Sequence, residues 1–261
     1  MRLNLVPAGT GLQWVRLGVK TFFRQPLALS GLFFMFMAVV SVLSAVPLAG
    51  LPLALLLVPA GTAGLMSATR EADAGRFPMP VQLLAAFRAG RERRRDMLAL
   101  GAIYVIALLV LVMLAALFAS AEPVDLTPPD SPEAAEALMT QALADPGLWL
   151  AMLLYLPLLM AFWHAPALVL WHGTSPVKSL FFSFMACWRN KAAMLVFGLG
   201  WTGLLLGVGL LLSLLAALLG GGGLINIVAY PLVLLLASMF HASVYFSFRD
   251  SFVEAGASEA P

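Results

Sequence analysis

The sequence has little charge and almost no cysteine. Charged residues make up 11 % of the chain and apolar residues 62 %, whereas about a quarter of the residues in a soluble domain are charged. A water-soluble fold of this composition would lack the polar surface to cover itself. The single cysteine, Cys187, excludes an intrachain disulfide and a metal cluster made of several cysteines of one chain. We expect its side chain to be buried among apolar groups.

Charged residues are also absent from six apolar stretches. Each is about 20 residues long, the length at which a helix crosses a hydrocarbon core of roughly 30 Å. The stretches do not alternate between polar and apolar residues, as the strands of a membrane barrel do. They are residues 27–46, 51–69, 97–120, 148–171, 194–219 and 224–247. The sequence therefore predicts an all-α polytopic membrane bundle of six transmembrane helices, arranged as three hairpins.

Basic residues are missing from three of the connections between these stretches. All 15 Lys and Arg residues lie before the first stretch or after the second, fourth and sixth, whereas the connection 121–147 is acidic. Because cytoplasmic loops hold the positive excess, the pattern predicts a multi-pass protein of the bacterial inner (plasma) membrane with both termini cytoplasmic. Within the outer acidic loop, Ser131 and Pro132 predict a short helix that reaches Ala144.

Each odd-numbered span follows a segment that predicts a short amphipathic helix on the cytoplasmic membrane surface. The first covers residues 12–24, the second opens at Pro80, and the third opens at Ser175 and reaches Arg189. We infer three repeat units within one integral membrane domain, residues 1–261. The units are about 11–69, 79–171 and 175–248, followed by a short cytoplasmic tail, 249–261. The alternative is that any cytoplasmic loop before a span tends to be basic and aromatic.

The basic and aromatic residues of these segments are candidate lipid contacts. A basic residue beside a membrane attracts anionic headgroups by about 1 kcal/mol. We therefore predict contact with the bilayer and its anionic headgroups, and no nucleic-acid partner; a specific acidic partner is the alternative. The acidic outer loop leaves room for a membrane-protein partner. The predicted interfacial residues are Trp14, Arg16, Lys20, Arg24, Arg93, Arg94, Arg95, Lys178, Trp188 and Arg189.

Two histidines are the clearest polar candidates inside the spans. His164 and His241 each lie about seven residues from the cytoplasmic end of a predicted span, or roughly 10 Å deep at 1.5 Å per residue. If they face each other at one level, they can bind a metal or haem, or relay protons. The alternative is hydrogen bonding within the bundle. No nucleophile, base and acid occur in a recognisable catalytic pattern, so we predict a protein that is not an enzyme and holds no cofactor.

Small residues and prolines within the spans indicate how the helices pack. Small residues let helix backbones approach closely in lipid, and an internal proline removes a backbone hydrogen bond and favours a kink. Pro157 and Pro166, both in the fourth stretch, are two such prolines. The small residues recur as Ala60, Gly64 and Ala68 in the second stretch and as Gly200, Gly203 and Gly207 in the fifth.

Three short sequences carry a resemblance to a known family. They are Gly11 to Trp14 (GLQW), Phe22 to Leu27 (FFRQPL) and Leu55 to Gly64 (LLLVPAGTAG). With them the chain resembles an uncharacterised family of proteobacterial six-span inner-membrane proteins with a domain of unknown function. More distantly, its layout is similar to the membrane domain of some glycerophosphodiester phosphodiesterases. The resemblance implies no catalytic residues, and because the chain has no soluble catalytic domain, that activity is not implied either.

These observations favour a non-enzymatic scaffold, assembly factor or regulator in the membrane. The alternative is a small transporter or lipid-handling protein with a cavity between the three hairpins. A metal or haem protein built on His164 and His241 is the third hypothesis. A polar cavity that reaches the bilayer midplane would favour transport, whereas a tightly filled bundle would favour a scaffold.

Overall fold

The computed structural model describes residues 2–120, 131–219 and 222–253, and this part of the chain is almost entirely helical. The helices are α1 (Thr10–Arg24), α2 (Pro26–Ser44), α3 (Gly50–Asp73), a 3-10 turn (Pro80–Leu84) that runs into α4 (Ala85–Arg88), α5 (Arg91–Phe118), α6 (Pro132–Ala144), α7 (Pro146–Trp163), α8 (Ala165–His172), α9 (Pro176–Arg189), α10 (Lys191–Leu219) and α11 (Gly222–Ser251). Two short strands, β1 (Arg2–Leu3) and β2 (Phe252–Val253), pair antiparallel.

Six helical segments are long and apolar enough to cross a membrane. They are α2, α3, α5, α7 together with α8, α10 and α11. The predicted all-α bundle of six spans is therefore confirmed. The predicted helix in the outer loop is confirmed as α6, where the Ser131 hydroxyl accepts a hydrogen bond from the Ala134 amide at 3.1 Å. Residues 121–130, 220–221 and 254–261 of the predicted loop, turn and tail lie outside the described residues.

The fourth span is broken near its basic end, as an internal proline predicts. Pro166 has no N–H to donate and its ring clashes with the preceding turn, so α7 ends at Trp163 and α8 begins at Ala165. Ser183 of α9 satisfies the backbone groups at the break. Its hydroxyl accepts from the His164 amide at 2.8 Å and donates to the Met160 carbonyl at 2.8 Å. Pro157, in contrast, lies within the continuous helix α7.

The even-numbered spans form an inner layer and the odd-numbered spans an outer one. In an apolar 18-residue stretch of the second, fourth and sixth spans 56 %, 39 % and 56 % of the residues are buried, against 22 %, 22 % and 6 % in such a stretch of the first, third and fifth. The inner helices contact each other directly, since α3 packs on α8 and α11 and the Trp171 ring of α8 meets Tyr245 and Phe248 of α11.

The basic side chains meet at one end of the bundle, which we call the basic end. There Arg24 and Arg249 share Asp73. Three segments cover this end: α1, the 3-10 turn with α4, and α9. Helix α1 packs chiefly on α10 and α11, the turn and α4 on α3, and α9 on α7 and α8. Each segment thus packs on the hairpin before it in the predicted repeat, and the first packs on the last. The boundaries of the repeat units stay a prediction.

Buried side chains concentrate in the half of the bundle next to the basic end, the proximal half. In α10, for example, Phe197 and Trp201 are buried, whereas Leu206 and Leu210 further along are exposed. The same change occurs along α2, where Phe33 is buried and Val42 is exposed. The other half, the distal half, presents apolar side chains outward on the spans, as surfaces that contact lipid do.

Candidate functional site

A cavity of about 220 Å³ lies where the three hairpins meet. We call it the interhairpin cavity. It is lined by α3 of the first hairpin, by α5, α7 and α8 of the second, and by α11 of the third. The lining residues are Val58, Pro59, Thr62, Tyr104, Tyr155, Leu158, Leu159, Phe162, Trp163, Pro166, Phe240, His241 and Val244.

The lining of the interhairpin cavity is apolar apart from a few polar side chains, among them Thr62, Tyr104, Tyr155 and His241. The His241 Nδ1 lies 2.9 Å from the Ala237 carbonyl oxygen, so this nitrogen donates within its own helix. The cavity is deep in the bundle. Thr62 lies eight residues from Arg70 at the basic end, which corresponds to roughly 12 Å along a helix. In a hydrocarbon core of roughly 30 Å, the cavity therefore lies near the midplane.

A buried layer closes the cavity toward the basic end. Between the cavity-lining residues and the basic ends of the inner helices lie Met66 of α3, Leu168 of α8 and Phe246 of α11. All three belong to one core cluster and are at most 1 % exposed. Such close packing leaves no room for a polar solute between these side chains. The cavity is therefore separated from the basic end and borders the open distal half.

The two candidate histidines do not face each other. His241 lines the interhairpin cavity, whereas the His164 ring packs edge-on against Phe248 and Phe252, with ring centroids 5.8 and 5.6 Å apart. Along the chain Phe248 is seven residues beyond His241, roughly 10 Å along a helix. The prediction that His164 and His241 face each other at the same depth is therefore wrong. The fourth span breaks at His164, and α11 continues to Ser251, beyond the predicted end of the sixth span.

His164 is enclosed by apolar groups. Its side chain is fully buried, and among the described residues neither ring nitrogen has a hydrogen-bond partner. The alternative prediction, that both histidines form hydrogen bonds within the bundle, therefore holds for His241 and fails for the His164 ring. In the described part of the chain no group of three or more His, Cys, Asp and Glu side chains is arranged to hold a metal ion.

Among the predicted interfacial residues, the prediction for Trp14 is wrong, because its side chain is buried within the protein. Its side chain is 0 % exposed, its indole N–H donates to Asp250 Oδ2 at 2.9 Å, and its ring meets Phe197 edge-on. The prediction failed because the apolar side of α1 faces α10 and α11 and not lipid. Arg93 is half-buried. The other predicted residues are exposed: Arg16, Lys20, Arg24, Arg94, Arg95, Lys178, Trp188 and Arg189. Their contact with lipid headgroups stays a prediction.

Sequence reasoning missed two carboxylates at the basic end. Asp73 lies 3.4 Å from both Arg24 and Arg249, and Asp250 lies 2.9 Å from Arg249. The signal was available for Asp73, an acidic residue in a segment with more basic than acidic residues, and for Asp250 it was the neighbouring Arg249. Together with the bond from Trp14 to Asp250, these pairs join α1, α3 and α11.

Cys187 is buried in α9, as predicted. Burial disfavours the thiolate and raises the pKa of the thiol to about 12. The thiol is therefore unreactive near neutral pH.

Comparison with known proteins gives one full-length relative. A probable inner membrane protein of Burkholderia thailandensis is 37 % identical over 268 residues, covering 100 % of this chain and 98 % of that protein. No model of a protein family matches the sequence, and no solved structure matches it. The likeness to the membrane domain of glycerophosphodiester phosphodiesterases stays a prediction.

Proposed function

This chain belongs to the same family as the probable inner membrane protein of Burkholderia thailandensis, and we propose that its molecular role is to bind membrane lipid without catalysing a reaction. With its six spans it is a multi-pass inner-membrane protein and contacts the lipid bilayer. Of the functions considered from the sequence, this is the lipid-handling protein with a cavity between the three hairpins. The observation that carries it is the interhairpin cavity.

The interhairpin cavity suits an apolar chain better than a polar solute. Most of its wall consists of aliphatic and aromatic side chains, and the buried layer at Met66 and Phe246 separates it from the basic end. Its volume is somewhat below the roughly 300–1,000 Å³ of pockets for drug-sized ligands, so it suits one narrow chain. Hydroxyls such as those of Tyr104 and Tyr155 can bind an ester or hydroxyl group carried on that chain. An acyl chain of a membrane lipid has these properties.

Photocrosslinking tests the proposal. The full chain would be placed in nanodiscs of phosphatidylcholine with a diazirine on one acyl chain, and the crosslinked residues would be mapped by mass spectrometry. We expect crosslinks at Tyr104 and Tyr155. Val58→Trp, which fills the cavity, should remove them, whereas Val112→Trp on an exposed face of α5 should not. Crosslinks at the two tyrosines that persist unchanged in Val58→Trp would contradict acyl-chain binding in the cavity.

The scaffold function is a second candidate, favoured by the exposure of α10. Only 6 % of the residues in an apolar 18-residue stretch of this span are buried. Gly203 and Gly207 are four residues apart, and a Cβ added to either would meet nothing within 4 Å. Two small residues at this spacing let a second helix approach closely. We propose that a transmembrane helix of another inner-membrane protein packs on this face of α10.

Purification from native membranes tests the scaffold function. We expect a membrane protein to co-purify in fixed ratio with the wild type and to be lost from the double variant Gly203→Ile, Gly207→Ile. The control is the double variant Leu206→Ile, Leu210→Ile, which changes exposed side chains of the same helix. Equal recovery of the partner with both variants would contradict docking on the glycine face.

We also propose that the basic end faces the cytoplasm, with both termini on that side, because positive charge is retained there. Labelling of intact cells with a membrane-impermeant maleimide tests this orientation. The buried thiol of Cys187 gives little background, since its pKa of about 12 leaves almost no thiolate near pH 7. We expect Ser131→Cys to be labelled in intact cells. Arg94→Cys should be labelled only after the cells have been lysed. The reverse pattern would invert the proposed topology.

A further inference from the structure

A second cavity opens at the basic end, on the other side of the buried layer. It has a volume of about 370 Å³, and we call it the basal pocket. Its lining combines basic and aromatic side chains: Arg70, Arg93, Trp171, His172, Tyr245, Phe248, Arg249 and Phe252. Arginine is the side chain best suited to bind phosphate, because its guanidinium presents paired N–H donors.

The basal pocket lies where the three inner helices end. Arg70 is in the last turn of α3, His172 in the last turn of α8 and Arg249 in the last turn of α11. Arg93 enters from the first turn of α5. One basic side chain from each hairpin's inner span therefore lines the same cavity, although these residues are far apart in the sequence. The fold gathers positive charge at this point of the bundle.

Protein contacts hold two of the arginines in place without neutralising them. The Arg93 guanidinium donates to the Leu170 carbonyl oxygen, and the Arg70 guanidinium lies 5.5 Å from the centre of the Trp171 ring, in a cation–π contact. Among the described residues no carboxylate oxygen lies within 4.0 Å of either guanidinium. Since a guanidinium carries five N–H donors, both retain donors for a ligand.

Arg249 differs from the other two arginines because it is paired. Its guanidinium contacts Asp73 at 3.4 Å and Asp250 at 2.9 Å, and Asp73 is shared with Arg24. The two carboxylates thus occupy donors of Arg249, whereas Arg70 and Arg93 line the pocket without such a partner among the described residues. The arginines of this cluster outnumber its two carboxylates, so the cluster keeps a net positive charge that an anion can neutralise.

We propose that the basal pocket binds a phosphate group, with Arg70 and Arg93 as its two donors. The group is carried either by the headgroup of an anionic phospholipid or by a free phosphorylated compound. A basic pocket between membrane helices at the level of the headgroups is suited to the first source. The aromatic rings of Trp171 and Phe248 supply apolar surface beside the arginines, as an amphiphile at the interface requires. This site is separate from the interhairpin cavity.

Two binding measurements on the full chain test the proposal and distinguish the sources. The first is retention of phosphatidylglycerol, against phosphatidylcholine, by native mass spectrometry. The second is calorimetric titration of inorganic phosphate into the chain in nanodiscs of phosphatidylcholine. Arg70→Gln with Arg93→Gln removes two charged hydrogen-bond donors, so we expect at least about a tenfold loss of affinity. A loss for phosphatidylglycerol identifies a lipid headgroup, and a loss for inorganic phosphate identifies a free compound.

The matched control is Arg91→Gln with Arg94→Gln, which removes the same charge from exposed neighbours outside the pocket. We expect it to change affinity by less than about twofold, because exposed charges are screened. An equal loss in both double variants, or no loss in either, overturns the proposal. Val58→Trp in the interhairpin cavity should leave phosphate binding unchanged, so the two proposals can fail separately.

A conservative variant decides the case in which the glutamine variant does not fold. Arg70→Lys with Arg93→Lys keeps both charges but loses the paired geometry of the guanidinium. We expect its thermal midpoint to remain near that of the wild type and its affinity to fall by at least about threefold. Unchanged affinity in this folded variant overturns the assignment of Arg70 and Arg93 as phosphate donors.

Discussion

The proximal and distal halves of the bundle are built from the same six helices and differ in how they pack. In the proximal half, helices touch through small residues and buried rings, as where the Trp163 indole N–H donates to Ser247 at 3.0 Å. In the distal half, apolar side chains such as Leu206 and Leu210 point outward. The comparison indicates that apolar composition determines which segments enter the membrane. Close packing of these segments depends on further parts of the chain that pack against them.

Those further parts of the chain are the three segments at the basic end. Helix α1, the 3-10 turn with α4, and α9 each lie across the ends of two or more spans and fill the space between them. The distal ends have no comparable layer among the described residues, and α6 alone packs there, on α7. The spans are therefore covered by three packed segments at the basic end, whereas at the distal end α5 and α7 contact each other directly, since a Cβ on Gly147 would lie 2.6 Å from the Ala115 carbonyl oxygen.

Truncating a tryptophan in each half should give the largest contrast. Trp14→Ala removes a fully buried ring and its hydrogen bond to Asp250, and such changes cost about 3–5 kcal/mol. Trp149 is 53 % exposed and donates to the Leu143 carbonyl, so Trp149→Ala should cost about 1 kcal/mol or less. Thermal unfolding of both variants in the same detergent measures the contrast. Similar losses would mean that the distal half is as tightly specified as the proximal half.

Adding one methyl group to a glycine of each half should give a smaller contrast. A Cβ at Gly18 would lie 2.7 Å from the Cα of Ser243, so α1 and α11 would have to move apart. We expect Gly18→Ala to cost about 1–3 kcal/mol. A Cβ at Gly207 meets nothing within 4 Å, and Gly207→Ala should leave stability unchanged or raise it slightly, because alanine favours helix. Guanidinium-induced or thermal unfolding distinguishes the two, and equal tolerance at both positions would argue against close contact of α1 with α11.

A third contrast, similar in size to the second, is expected within the proximal half itself, at the break in the fourth span. Ser183→Ala removes the partner of the His164 amide and the Met160 carbonyl and should cost about 1–3 kcal/mol. His164→Phe replaces a ring whose nitrogens have no described partner and should leave stability unchanged or raise it. A loss of more than about 2 kcal/mol in His164→Phe would show that the imidazole makes an essential polar contact.

The positions of the spans could be predicted from the sequence because length and charge determine them. The second stretch, predicted as 51–69, is α3 (Gly50–Asp73), and the predicted loop helix is α6. The break at Pro166 and the burial of Cys187 also follow from single residues. In each case the physical cause lies in a few neighbouring residues, or in the preference of an apolar segment for lipid over water.

Contacts between helices could not be predicted in the same way. The apolar side of α1 was evident, but a helical pattern does not tell whether that side meets lipid or another helix, so Trp14 was assigned to the interface and is buried. The predicted depths of His164 and His241 in the membrane were counted from the ends of two helices, and the sequence did not give those ends accurately. The basal pocket joins Arg70, Arg93 and Arg249, which no spacing in the sequence relates. Tertiary packing alone brings them together.

The pairing of β1 with β2 has a consequence for how the protein is made. Helix α1 leaves the ribosome first, yet its partners α10 and α11 are synthesised last, and domains generally form in the order of synthesis. Contacts between distant parts of a chain form slowly, because the loop between them must close first. Until then the buried side of α1, with Trp14 at its centre, lacks its main partners α10 and α11. The main contacts of α1 are therefore completed only after the final hairpin has been synthesised.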